Sequence, residues 1–128
     1  MMHIEHVAIY VHDLEAARRF FTELLGGISN EGYHNPTTHF RSYFISYEGG
    51  ARIEIMTRPD MKPIPADPMN SGWAHVAFSV GSPQRVDALT EKLRGAGYEV
   101  YSGPRTTGDG YYESCIIALE GNLIELTV

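Results

Sequence analysis

The sequence predicts an α+β fold built from two tandem β-α-β-β-β modules, and three observations predict it. The chain repeats itself. Its apolar residues alternate with period two along most segments and recur near period 3.6 in one segment of each half. A proline-rich stretch separates the halves. The repeat is the strongest of the three. Glu5-His6-Val7-Ala8-Ile9-Tyr10-Val11 matches Ala74-His75-Val76-Ala77-Phe78-Ser79-Val80, and Phe20, Leu24 and Gly26 match Leu89, Leu93 and Gly95, both at an offset of 69. Residues 48–55 (EGGARIEI) then match residues 119–126 (LEGNLIEL) at an offset of 71, so a loop differs in length between the copies. Between the halves, residues 58–72 hold Pro59, Pro63, Pro65 and Pro68, which neither a helix interior nor a central strand accommodates. The expectation is a single domain, 1–128, with module one at 1–57, a linker at 58–72 and module two at 73–128.

The elements follow in order. Residues 4–11 alternate as a strand, with Val7, Ile9 and Val11 on one face and His6, Ala8 and Tyr10 on the other. Asp13 is a suitable N-cap for a helix over 14–25, whose apolar positions are 14, 17, 20, 21, 24 and 25, and Gly26-Gly27 ends it. A strand is expected near 27–33, then strands over 38–47 and 51–57 joined by a hairpin at Glu48-Gly49-Gly50. Module two repeats the order, with a strand over 73–80. A helix starts at Ser82-Pro83, carries Val86, Leu89 and Leu93 as its apolar stripe, and is closed by Gly95 and Gly97. Strands over 98–101, 112–119 and 122–128 complete it, with 103–110 as a polar, turn-rich loop.

Composition narrows the function. The 128 residues carry ten Lys+Arg against sixteen Asp+Glu, a net charge of −6, without a basic cluster. Such a chain is a poor binder of nucleic acid or anionic membrane; small molecules, cations and protein surfaces remain as partners. The lone Cys115 excludes an intrachain disulfide and a cysteine-rich zinc site. Met1-Met2-His3-Ile4-Glu5-His6 has no basic leader character, and no run of 18 apolar residues spans a membrane, so the expected location is the cytoplasm.

Four residues stand at equivalent positions of the repeat: His6 with His75, and Glu54 with Glu125. Strand alternation points each of them away from the aliphatic face that must pack under the helices: Ile53 and Ile55 oppose Glu54, and Ile124 and Leu126 oppose Glu125. A lone strand histidine is usually a structural residue and a lone glutamate usually faces solvent. The same pair kept in both copies is harder to assign to packing. A pseudo-twofold arrangement would bring two imidazoles and two carboxylates to one point, a donor set suited to Zn²⁺, Ni²⁺ or Fe²⁺ rather than to all-oxygen Ca²⁺. His3, His12, His34 and His39 look like surface or loop residues, and Cys115 looks packed within an apolar strand.

The repeated module, the two strand-borne histidines and the Gly-x-x-Ile-Glu-[Ile/Leu] endings resemble the vicinal oxygen chelate superfamily over essentially the whole chain, and within it glyoxalase I (lactoylglutathione lyase) and its relatives. The resemblance implies that each half curls into a cup-like mixed sheet and that paired halves enclose a metal. His6, Glu54, His75 and Glu125 each match a ligand position, and the full set points to the glyoxalase branch. Extradiol dioxygenases use only the equivalents of His6, His75 and Glu125, epimerases commonly carry Gln at the position of Glu54, and the bleomycin-binding branch lacks the set. The implied cofactor is a divalent ion, Ni²⁺ or Zn²⁺, with Fe²⁺, Co²⁺ or Mn²⁺ as alternatives. The implied activity is a lyase/isomerase reaction on a hemithioacetal or related 2-oxo or hydroxy compound through an enediolate, with Glu125 as base and Glu54 as its partner. The alternatives are an epimerase, an extradiol-type dioxygenase or a non-catalytic small-molecule binder of the same fold. Two departures stand out: Tyr10 and Arg58 occupy positions where compact glyoxalases carry an Arg and an Asn that hold glutathione. Tyr10, Arg58, Arg105 and Tyr111 are substrate-binding candidates, with Tyr112 and Glu113 near the pocket mouth by position alone. The small modules and the resemblance imply a homodimer whose sites take His6 and Glu54 from one chain and His75 and Glu125 from the other, and a small-molecule substrate, a thiol adduct included.

Overall fold

The computed structural model describes residues 1–65 and 67–128; residue 66, inside the expected linker, lies outside the described residues. The chain divides into two compact units, Met1–Pro63 and Ile64–Val128. The first comprises β1 (His6–Tyr10), α1 (Leu14–Arg19), a π-helical turn (Phe20–Leu24), β2 (Ile28–Ser29), β3 (Tyr33–His34), β4 (Arg41–Ser46) and β5 (Arg52–Thr57). The second comprises β6 (His75–Ser79), α2 (Pro83–Gly95), β7 (Glu99–Thr106), β8 (Tyr112–Ile117), a 3₁₀ turn (Leu119–Gly121) and β9 (Leu123–Thr127). The α+β class is as the sequence predicts, and so is the β-α-β-β-β order of unit two; unit one has the same order with one strand split in two.

Each unit is one mixed sheet with its helix against one face. In unit one the strand order is β1-β5-β4-β2, with β3 also on β4; β1 runs parallel to β5 and the other pairs are antiparallel. In unit two the order is β6-β9-β8-β7, again with the first pair parallel. Ile53, Ile55, Tyr43 and Ile45 are buried on the helix side of unit one with Leu14, Ala17, Phe20 and Phe21. Ile116, Ile124 and Leu126 do the same in unit two with Val86 and Leu93. Burial of this apolar area, at about 25 cal/mol per Å², is what holds helix to sheet. The predicted stripe on α2 needs one change. Leu89 is only half-buried, while Thr90 is fully buried. Its hydroxyl bonds the Val86 carbonyl at 2.6 Å and Ser114 Oγ at 2.7 Å, so the polar pair satisfies itself inside the core.

Both predicted helix starts form, and each is capped. Asp13 Oδ1 accepts from Ala16 N at 2.9 Å, and Ser82 Oγ accepts from Arg85 N with Pro83 opening the helix. The first helix is not uniformly α-helical, however. Adjacent α-helical side chains point about 100° apart, yet Phe20 and Phe21 are both buried, edge to face with ring centroids 5.3 Å apart. The wider π turn lets both face the sheet. Thr22 Oγ1 meanwhile bonds the Arg18 carbonyl, and Gly26 leaves the helix with a φ of 72°.

Three predicted strands change. The strand over 27–33 splits into β2 and β3 because Asn30 Oδ1 accepts from Gly32 N and from Phe44 N, bending the chain between them. The strand over 38–47 begins only at Arg41, since Asn35 Oδ1 caps Thr37 N and Thr38 N in a turn. The expected loop over 103–110 is instead strand as far as Thr106. β7 is an edge strand, where Pro104's missing N–H breaks no ladder, and register shifts at Val100/Ser102 and Ser102/Arg105 absorb the irregularity. Gly103 is required there: its φ is 82°, and a Cβ would stand 2.6 Å from the Glu113 carbonyl oxygen. Gly103→Ala is expected to lower stability by about 1–3 kcal/mol in urea denaturation; a midpoint like wild type's would show that β7 is not held in this conformation.

Candidate metal centre

The two sheets place the repeated pair in the same register. In unit one Glu54 of β5 lies beside Ala8 of β1, and His6 stands two residues earlier on β1, so both side chains leave the face opposite Ile53 and Ile55. In unit two Glu125 of β9 lies beside Ala77 of β6, and His75 again stands two residues earlier. His75 Nε2 is 3.1 Å from Glu125 Oε1, and His6 Nε2 is 3.8 Å from Glu54 Oε1. The carboxylate side chains are 16% and 20% exposed and the imidazoles about twice that, so each pair is partly sheltered yet reachable. The intervening Ala8 and Ala77 keep the space beside each carboxylate open.

The surroundings of the two pairs differ. In unit one the Glu5 carboxylate contacts His6 Nδ1 and pairs with the Arg52 guanidinium. Arg52 lies 4.0 Å over the Phe44 ring, and the His6 ring stands nearly perpendicular to that ring with centroids 5.4 Å apart. The hydrogen bond with His6, and after it Arg52, hold the Glu5 carboxyl below its usual range. In unit two Cys115 of β8 stands directly beside Glu125 in the ladder and Glu113 hydrogen-bonds it. Burial pushes the Glu125 carboxyl up; the positive field of His75 and Arg105 opposes this, and Glu113 adds to it. Burial, then Glu125 and Glu113, push the Cys115 thiol up. Cys115 is therefore packed, as expected, but on the side of the sheet that carries Glu125.

The substrate-binding candidates fall in different places. Tyr10 shares the His6 face and hydrogen-bonds Arg58, whose guanidinium is chelated by Asp60 at 2.6 and 2.9 Å. Arg58 thus already has an anionic partner. Arg105 is not in a loop: it lies on β7 opposite Glu113, close enough to Glu125 to act on its charge. Tyr111 is in the β7–β8 turn, tied through its backbone to Thr107 and with an exposed ring. Tyr112 faces the helix, where its hydroxyl bonds Asp87. Glu5 has no repeat signature that would single it out: its counterpart in the second copy is Ala74.

The donors present fit a divalent metal. Two ligand atoms at about 2.0–2.2 Å from one ion, at right or tetrahedral angles, stand about 2.8–3.6 Å apart. The His75–Glu125 separation of 3.1 Å lies in that range, and the His6–Glu54 separation of 3.8 Å is slightly wider. One imidazole and one carboxylate make half of a borderline-metal donor set. Among the described residues no group of three or more His, Cys, Asp or Glu stands close enough to hold an ion, so each unit offers two donors.

Comparison with known proteins decides the family. The model of the glyoxalase/bleomycin resistance protein/dioxygenase superfamily matches residues 3–126. The chain belongs to that superfamily. Its members typically bind divalent metal ions and small molecules, and many are enzymes, glyoxalase I among them. The uncharacterized protein YqjT of Bacillus subtilis is 31% identical over 117 residues, 85% of each chain. A glyoxalase family protein from Enterococcus faecalis superposes with a TM-score of 0.78 at 25% identity, over 98% of this chain and 96% of that one. The trypanothione-dependent glyoxalase I of Leishmania major superposes with a TM-score of 0.79 over 99% of this chain and 86% of that one, at 20% identity, a likeness of fold. Among the described residues of this superfamily member no helix is long and apolar enough to cross a membrane.

Proposed function

We propose that the chain is a metal-dependent, glyoxalase I-like lyase/isomerase acting on a hemithioacetal or a related 2-oxo or hydroxy compound. The observation that carries the reading is the duplicated His–Glu pair, held in the same register on both sheets. Selection for packing alone gives no reason to keep a carboxylate beside an imidazole on the open face of each sheet. His6 and Glu54 would supply two donors to a Ni²⁺ or Zn²⁺ ion (Fe²⁺, Co²⁺ and Mn²⁺ also suit the donors), and His75 and Glu125 would supply two more. The two halves of a site come from the two chains of a homodimer. The carboxylate in both modules favours this branch over the dioxygenases, whose set has only one.

When bound, the ion supplies Lewis acidity at the substrate's carbonyl oxygen and offsets the negative charge that deprotonation creates. The chain's own part is proton transfer. Glu125 takes the proton from the carbon bearing the hydroxyl and returns it to the neighbouring carbon, so the hemithioacetal leaves as a 2-hydroxyacyl thioester with no net change in atoms. Glu54, at the equivalent place in module one, is its partner. Tyr10 and Arg58 replace the pair that holds glutathione in compact glyoxalases, and Arg58 is already engaged by Asp60, which favours a thiol other than glutathione. An isomerase assay with methylglyoxal and a panel of thiols tests this. Turnover is expected with added Ni²⁺ or Zn²⁺ and is expected to stop with a chelator. No turnover with any thiol and metal, or turnover that ignores the chelator, overturns it.

A further inference from the structure

We infer that Glu5 is a positioning residue for His6: its carboxylate holds the imidazole in one tautomer and one orientation, with Nε2 presented to the face that carries Glu54. The inference rests on the metal-site reading for its purpose, but its geometry lies wholly within unit one. A carboxylate can only accept, so the proton of the Glu5–His6 contact is on Nδ1 and, in the neutral ring, the lone pair is on Nε2. That nitrogen is the one directed to Glu54. Metal-binding histidines are fixed in this way by a carboxylate on the other ring nitrogen.

Glu5 is itself held. Arg52, its neighbour across the β1–β5 edge, pairs with the second carboxylate oxygen, and the Arg52 N–H of the backbone donates to the Glu5 carbonyl at 3.0 Å. The guanidinium rests on the Phe44 ring, and the same ring packs nearly perpendicular to the His6 imidazole. Phe44, Arg52, Glu5 and His6 thus form a closed circuit of contacts around one imidazole. The counterparts in module two cannot form this circuit: Ala74 stands where Glu5 does and Leu123 where Arg52 does. The two halves therefore prepare their histidines differently. The module-one imidazole is oriented in the metal-free protein by Glu5, whereas the side-chain partner shown for His75 among the described residues is Glu125.

The test uses the full chain in three forms: wild type, Glu5→Gln and Glu5→Ala. Nitrogen-15 spectra of the metal-free protein at mildly alkaline pH read the His6 tautomer directly, and zinc titration calorimetry reads the affinity. Wild type is expected to show His6 protonated on Nδ1, and Glu5→Ala is expected to revert to the Nε2-protonated form common in free imidazole. Zinc affinity is expected to fall about 10–100-fold in Glu5→Ala, and less in Glu5→Gln, whose amide oxygen still accepts. Thermal melts of the metal-free variants should match wild type, because Glu5 is exposed. A wild-type His6 protonated on Nε2, or a tautomer and affinity unmoved by Glu5→Ala, overturns the inference. Failure of the wild type to bind zinc at all overturns the metal-site reading instead, while the tautomer still decides whether Glu5 orients His6.

Discussion

Glu125→Gln is expected to fold normally and to lower turnover by about 10²–10⁴-fold, the contribution of a positioned general base. The substitution preserves length and shape but removes both the proton acceptor and an anionic metal donor. Glu125 sits at the centre of its half-site: beside Ala77 and Cys115 in the ladder, 3.1 Å from His75 Nε2, and mostly sheltered. Metal must be saturating in the assay, so that a loss of affinity is separated from a loss of chemistry. Circular dichroism checks that the sheet is intact. Wild-type turnover in this variant would remove Glu125 from the reaction.

Leu126→Ala is expected to cost about 2–5 kcal/mol of stability, the range for emptying a buried leucine site. Leu126 is fully buried on β9, an interior strand, with Phe78 and Ser114 as its ladder neighbours and α2 over that face. The sheet cannot close on the void without moving the helix. A domain's whole stability is about 5–15 kcal/mol, so the urea midpoint should fall steeply. The adjoining Glu125 gives the loss a functional reading: a loosened β9 no longer fixes that carboxylate against His75. Ile64→Ala, at an exposed position, serves as the control. A midpoint for Leu126→Ala no lower than the control's would mean that β9 does not carry the core of this unit.

The parts of the fold that were legible in the sequence are those with a local physical signature. Asp13 and Ser82 announce helix starts because a short side-chain oxygen can satisfy a free helix N–H. The repeated His-Val-Ala and Ile-Glu-[Ile/Leu] segments announce strands because alternation separates a packed face from an open one. What failed locally was decided by contacts between distant residues. The π turn answers to two phenylalanines competing for one sheet face. The break between β2 and β3 answers to Asn30 reaching Phe44 N fourteen residues on. β7 continues through Gly103-Pro104 because it lies at a sheet edge, a fact that pairing order supplies and composition does not.

At the candidate site, the residue types and their faces could be read directly, since period-two alternation places His6 with Ala8 and Glu125 opposite Ile124. The register could not. That Glu54 lies beside Ala8 and Glu125 beside Ala77 follows from parallel pairing of each module's first and last strands. Glu5 carries no repeat signature because it is present in only one copy. Arg105 looked like a loop cation until the extended β7 placed it opposite Glu113.

Anomalous diffraction from crystals grown with Zn²⁺ or Co²⁺ tests the four-donor site most directly. The expected density is a single ion per site bound at about 2.0–2.2 Å by Nε2 of His6 and of His75 and by oxygens of Glu54 and Glu125, the two pairs coming from different chains of a dimer. Ions found elsewhere, or each His–Glu pair binding a separate ion, would contradict it.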